Sequence, residues 1–159
     1  MLREKHNDEI KEILSRYPDK RSAVMPVMYL AQREYGHLSD EAMREIAELL
    51  DMSISDVYSV AGFYTLFYKE PVGEHVIHVC NDFPCALRGA DELLDHVCQR
   101  LGIQPGETTA DGSITLETAM CVAACDRAPV MQADLEYFEN LTTDEVDQIL
   151  DGLRSGDEG

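Results

Sequence analysis

Two pairs of cysteines constrain this chain more than any other feature. Cys80 and Cys85 stand as C-x4-C, and, after a gap of thirty-five residues, Cys121 and Cys125 stand as C-x3-C. Paired thiols with a long gap are what a chain needs to close four sulfur donors around one inorganic centre, each pair on its own loop. The fold must then bring both loops to one place. Four thiolates suit zinc or an iron–sulfur cluster. A fifth cysteine, Cys98, makes the count odd, which argues against a pure disulfide framework.

The two pairs lie in the second of two differently patterned halves. Residues 1–70 read as helices. A run from Glu9 to Arg16 stops at Pro18, and a second spans about Ser22 to Glu34 with Gly36 as its C-cap. Ser39 opens a third, whose Ala42, Met43, Ile46, Leu49 and Leu50 recur at helical spacing. Ser53 and Asp56 form a capping-box pattern for a fourth. It runs into an aromatic stretch, Ala61 to Tyr68, that has no clear period. Lys69 to Glu74 reads as a linker.

After the linker the period changes. His75 to Cys80 reads as a strand and Arg88 to Leu101 as a helix capped by Gly102. Asp111-Gly112 is a turn, followed by strands over Ser113 to Thr118 and Val130 to Ala133. Thr142 and Glu145 open a final helix to about Leu153, and the tail Ser155 to Gly159 reads as disordered. The order strand, helix, strand, strand, helix makes residues 75–155 an α/β domain of thioredoxin-like type behind an N-terminal helical bundle. In that scheme all four paired cysteines fall at loop ends along one sheet edge.

Composition removes several classes of function. A formal charge of −18 opposes binding to nucleic acid or to anionic membrane surfaces. No apolar run reaches the length of a membrane span, and the start has no apolar signal region, so the expected location is the cytoplasm. There is no G-x-G-x-x-G fingerprint and no P-loop. Cys98 sits on the apolar face of its helix and reads as core packing. Structural zinc, which accepts C-x2–4-C spacings, stays open on spacing alone.

The flanking residues carry a resemblance. Residues 79–89, Val-Cys-Asn-Asp-Phe-Pro-Cys-Ala-Leu-Arg-Gly, and 121–131, Cys-Val-Ala-Ala-Cys-Asp-Arg-Ala-Pro-Val-Met, resemble the two ligand loops of the E-subunit family of NADH–quinone oxidoreductase, the thioredoxin-like [2Fe–2S] subunit of respiratory complex I. Residues 105–112, 30–32, 36–39 and 63–67 resemble it as well. Ala123 departs from it, standing where the family usually has Gly.

The resemblance implies a thioredoxin-like [2Fe–2S] ferredoxin domain in which Cys80, Cys85, Cys121 and Cys125 bind one [2Fe–2S] cluster. It implies an electron-transfer subunit of an NADH dehydrogenase complex with no complete active site on this chain. The expected partner is the flavin-bearing, NADH-oxidising subunit, which would hold both FMN and NADH and form a heterodimer with this chain within a larger complex. The expected place is the peripheral arm of a membrane-associated complex, on the cytoplasmic face and without membrane insertion. The equivalent subunit of an NAD-linked hydrogenase or formate dehydrogenase shares these loops, and a zinc-built interaction module is the alternative of another class. Asp82 and Asp126 beside the cysteines would disfavour adding an electron to the centre.

Overall fold

Side-chain caps decide where the last two helices of the first half begin. In a computed structural model that describes residues 1–155, Ser39 accepts the amide of Ala42 at 3.2 Å and opens α4, Asp40–Leu50. Before it come α1 (Leu2–Lys5), α2 (Asn7–Ser15), a 3-10 turn Lys20–Ala23 and α3 (Val24–Tyr35). Pro26 falls in the first turn of α3, where its missing N–H would have no partner within the helix. Ser53 accepts the amide of Asp56 at 3.1 Å and opens α5 (Ile54–Phe63). The Asp56 carboxylate pairs with Arg21 at 3.0 Å. Val27, Met28, Leu38, Met43, Ile46, Leu50 and Val57 interlock as one buried core.

The aromatic stretch that lacked a period is divided at Phe63, where α5 ends. Gln32 in α3 fastens the segment beyond it. Its side-chain amide donates to the Leu66 carbonyl at 2.9 Å and accepts from the Tyr68 amide at 2.8 Å. Phe67 is thereby buried against Tyr29, whereas Phe63 stays exposed.

Contacts divide the chain into two compact units, Met1–Pro71 and Val72–Gly159. In the second, β1 (His75–Cys80) is followed by α6 (Phe83–Ala86), α7 (Ala90–Leu101), β2 (Glu107–Thr108), β3 (Ile114–Ala119), β4 (Met131–Ala133), β5 (Glu136–Phe138) and α8 (Thr143–Ser155). The five strands lie in the order β2-β3-β1-β4-β5. β1 and β3 are parallel, with Cys80 level with Ala119, and the other pairings are antiparallel. Ile77, Val79, Ile114, Leu116 and Met131 meet Leu93 and Val97 of α7 and Val146 and Leu150 of α8 in a second core. Arg100 of α7 ties the two helices together through Asp147 at 3.3 Å and Asp151 at 2.6 Å. Gly73 approaches β3 so closely that a Cβ would lie 2.9 Å from the Ile114 backbone. Its amide donates to Thr115 Oγ1 at 2.6 Å, which satisfies a buried hydroxyl.

Several boundaries differ from those expected. The helix expected from Arg88 starts at Ala90, because Gly89 turns the chain with φ +91°. A separate turn of helix, α6, precedes it. The two-residue β2 and the three-residue β5 add strands that the sequence did not show. Ser155 belongs to α8, and the rest of the expected disordered tail, residues 156–159, lies outside the described residues. The cysteines are not along a sheet edge. β2 and β5 are the edges, whereas Cys80 ends the central strand. Parallel pairing delivers the chain after β1 and the chain after β3 to the same end of the sheet, and that end carries the cysteines.

Candidate metal centre

The first cysteine loop is short because a cap turns it. Beyond Cys80, the Asn81 amide donates to the Ala119 carbonyl at 3.0 Å, and Cys80's own amide donates to Val130 at 3.1 Å. Asp82 then accepts the Phe83 amide at 2.8 Å and starts α6, with Pro84 in its first turn. This single turn carries Cys85 inward, so Cys85 is not in a loop before a helix but within one. Cys80 and Cys85 are each 1% exposed and share a small cluster with Ala90, Val122, Ala128 and Val130.

The second loop is held from three sides. Val122 turns into that cluster, while Cys121, Ala123 and Cys125 face outward. Ala123 has φ +61°, a left-handed conformation that costs an L-residue about 1–2 kcal/mol. Its amide donates to Cys121 Sγ at 3.4 Å. The Tyr137 hydroxyl, from β5, donates to the Val122 carbonyl at 2.9 Å. Cys125 opens a 3-10 turn, Cys125–Arg127. Arg127 closes that turn by pairing with Glu139 at 2.7 Å, and its carbonyl accepts the Asn140 amide at 2.7 Å.

All five cysteines are free thiols. Burial, then the neighbouring Cys80, pushes the Cys85 thiol up to about 11, and Cys125 adds to the shift. Burial, then Cys121, also raises Cys125, with Cys80 and Asp82 contributing. Cys80 and Cys121 thus lie close enough to oppose the ionisation of Cys85 and Cys125. A cationic centre would reverse that, since thiolate ligands are deprotonated by the metal they bind. Among the described residues, no three His, Cys, Asp or Glu side chains converge on one point that a single ion could fill. Four cysteine sulfurs at one end of the sheet match the four-thiolate donor set of a [2Fe–2S] centre, and the same donor set suits zinc.

Cys98 stands apart, half-buried in the sheet–helix core beside Leu94. His75 bonds Asp134 and His96 bonds Asp147, so both have structural partners. Burial lowers the pKa of His78. Two features of the site escaped the sequence. Tyr137 gave no signal, because a tyrosine in a short polar segment shows no pattern. Phe83, Leu87 and Met120, which flank the cysteines in sequence, are all more than 70% exposed, and apolar type alone does not signal that.

Residues 10–154 match the thioredoxin-like [2Fe–2S] ferredoxin family. The chain belongs to that family. It is 43% identical to the E 2 subunit of NADH-quinone oxidoreductase from Rhizobium meliloti (strain 1021), over 94% of this chain and 89% of the relative. It is 40% identical to the NADH-quinone oxidoreductase E subunit of Rickettsia bellii (strain RML369-C), over 91% and 89%. The corresponding E subunit of Mycobacterium tuberculosis (strain ATCC 25618 / H37Rv) is also 40% identical over 92% of this chain, which spans 58% of that relative. Among solved structures, an NAD+-reducing [NiFe]-hydrogenase in the H2-reduced state shares the fold with a TM-score of 0.70 at 21% identity. That likeness covers 81% of this chain and 22% of the hydrogenase chain.

Proposed function

We propose that Cys80, Cys85, Cys121 and Cys125 hold one [2Fe–2S] cluster and that the chain is an electron-transfer subunit of an NADH:quinone oxidoreductase. One observation carries the reading: two short loops present four free thiols at the same end of a parallel strand pair, within a chain of the [2Fe–2S] family. When bound, such a cluster takes up and releases single electrons. The protein's part is to hold the donors and set their surroundings. Val122, Ala128 and Val130 shield the Cys80 and Cys85 side, and exposed Cys121 and Cys125 leave the other side open to a redox partner.

In this reading the partner is the flavin-bearing subunit, with FMN and NADH bound there, and this chain lacks a complete active site of its own. The helical unit, Met1–Pro71, supplies much of the docking surface. The assembly is the peripheral arm of a membrane-associated complex on its cytoplasmic face. Among the described residues no helix is long and apolar enough to cross a membrane.

Purifying the complex through a tag on this chain tests both parts. Copurifying FMN, with an S = ½ binuclear EPR signal after dithionite reduction, is the expected result. A chain recovered without a flavoprotein contradicts the partner, and zinc without an EPR signal contradicts the cluster.

A further inference from the structure

One peptide group in the second cysteine loop is held at both ends. The Val122–Ala123 peptide accepts the Tyr137 hydroxyl on its carbonyl at 2.9 Å and donates its N–H to Cys121 Sγ at 3.4 Å. Tyr137 comes from a part of the chain that is itself firmly placed. β4 and β5 are joined by a two-residue turn, Asp134-Leu135, with φ of 50° and 75°. The Asp134 carboxylate pins that turn to the start of β1, accepting the Val76 amide at 2.9 Å and meeting His75 Nδ1 at 2.6 Å. The hairpin places Tyr137 opposite Gln132 of β4, with its hydroxyl at the cysteine loop.

We propose that Tyr137 is a positioning residue for the cluster, acting on Cys121 through the Val122–Ala123 peptide. This rests on the assignment of a [2Fe–2S] cluster to the four cysteines. A hydrogen bond on the carbonyl fixes the peptide plane and polarises it, which makes the N–H at its other end a stronger donor. Hydrogen bonds to ligand sulfur help set the reduction potential of an iron–sulfur centre. Because the reduced centre carries more negative charge, a donor aimed at Cys121 Sγ favours it and raises the potential. The left-handed Ala123 is the local strain that accompanies this arrangement.

Tyr137→Phe removes the hydroxyl and keeps the ring. In the full chain with its cluster, it is expected to lower the potential by a roughly three- to tenfold fall in the one-electron equilibrium constant, about 28–59 mV. The coupling of the exchangeable Ala123 amide deuteron to the reduced centre, read by pulsed EPR, is expected to weaken with it. Replacing Tyr137 by 3-fluorotyrosine strengthens the donor without removing it and is expected to move the potential upward. A merely structural tyrosine does not give shifts of opposite sign. An intact cluster with an unmoved potential in Tyr137→Phe overturns the proposal. If Tyr137→Phe fails to keep its cluster, the fluorotyrosine protein decides, and an unchanged or lowered potential there overturns it. A wild-type chain that takes up no iron and sulfide removes this proposal together with the cluster assignment, whereas an unmoved potential removes this proposal alone.

Discussion

The helical unit and the sheet unit keep their order by different means. In Met1–Pro71, capped helices converge on a continuous apolar core of large side chains such as Met28, Ile46 and Leu50. The sheet unit has a comparable core between its strands and α7 and α8. Its cysteine end, however, is built from small residues, two buried thiols and a few polar clasps, among them Tyr137–Val122 and Arg127–Glu139. Little apolar area is buried there, and burial and neighbouring thiols oppose ionisation of Cys85 and Cys125. The helical unit is therefore ordered by its packing, and on the proposed reading the cysteine end gains order from the cluster its thiols hold.

Four perturbations sharpen that contrast, beginning with the largest. Cys80→Ala removes one buried donor and is expected to abolish iron retention and visible absorbance while the helical circular dichroism of the full chain persists. Full iron retention would show that Cys80 is not a ligand. Ile46→Ala empties a fully buried site in the helical core and should cost about 2–5 kcal/mol. Urea unfolding followed at helix wavelengths reads this, with the visible spectrum of the folded protein unchanged.

Ala123→Gly relieves a left-handed residue. After the greater chain entropy of Gly is subtracted, it should stabilise the sheet unit by about 0.5–1 kcal/mol. A lowered thermal midpoint would mean that residue 123 does not need φ near +61°.

The smallest effect concerns a surface ion pair. Hydrogen bonds from Lys5, then His6, hold the Glu34 carboxyl down to about 2, against 4.5 for the free group. A depressed carboxyl contributes stability above its unfolded value and loses it as pH falls through the folded one. Glu34→Gln should therefore lower the thermal midpoint slightly at neutral pH, and the difference should shrink between pH 4.5 and about 2. A difference that grows toward acid would contradict the assignment.

What the sequence revealed divides in the same way. Ser39, Ser53, Gly36 and Gly102 mark helix ends through local chemistry, and each acts where the pattern put it. Thr142 and Glu145 do form reciprocal bonds at the start of α8, at 3.4 and 2.9 Å. β1 was legible because Val76, Ile77 and Val79 are buried in a central strand. The edge strands β2 and β5 were not, since Glu107, Thr108, Glu136 and Tyr137 owe their extended form to pairing with β3 and β4 and not to an apolar face of their own. α6 was hidden because Phe83-Pro84 reads as a loop until Asp82 is seen capping it.

At the site, cysteine spacing and flanking residues pointed to four donors. The parallel register that brings both loops to one sheet end is a property of the fold. Tyr137 reaches Val122 across fifteen positions and a hairpin, which no local pattern encodes.

The most direct test is a count of iron and acid-labile sulfide in the anaerobically purified full chain. Equal amounts are expected, two of each per chain, as a [2Fe–2S] family member requires. Zinc without sulfide, or a colourless chain that stays free of iron after reconstitution, would contradict the cluster.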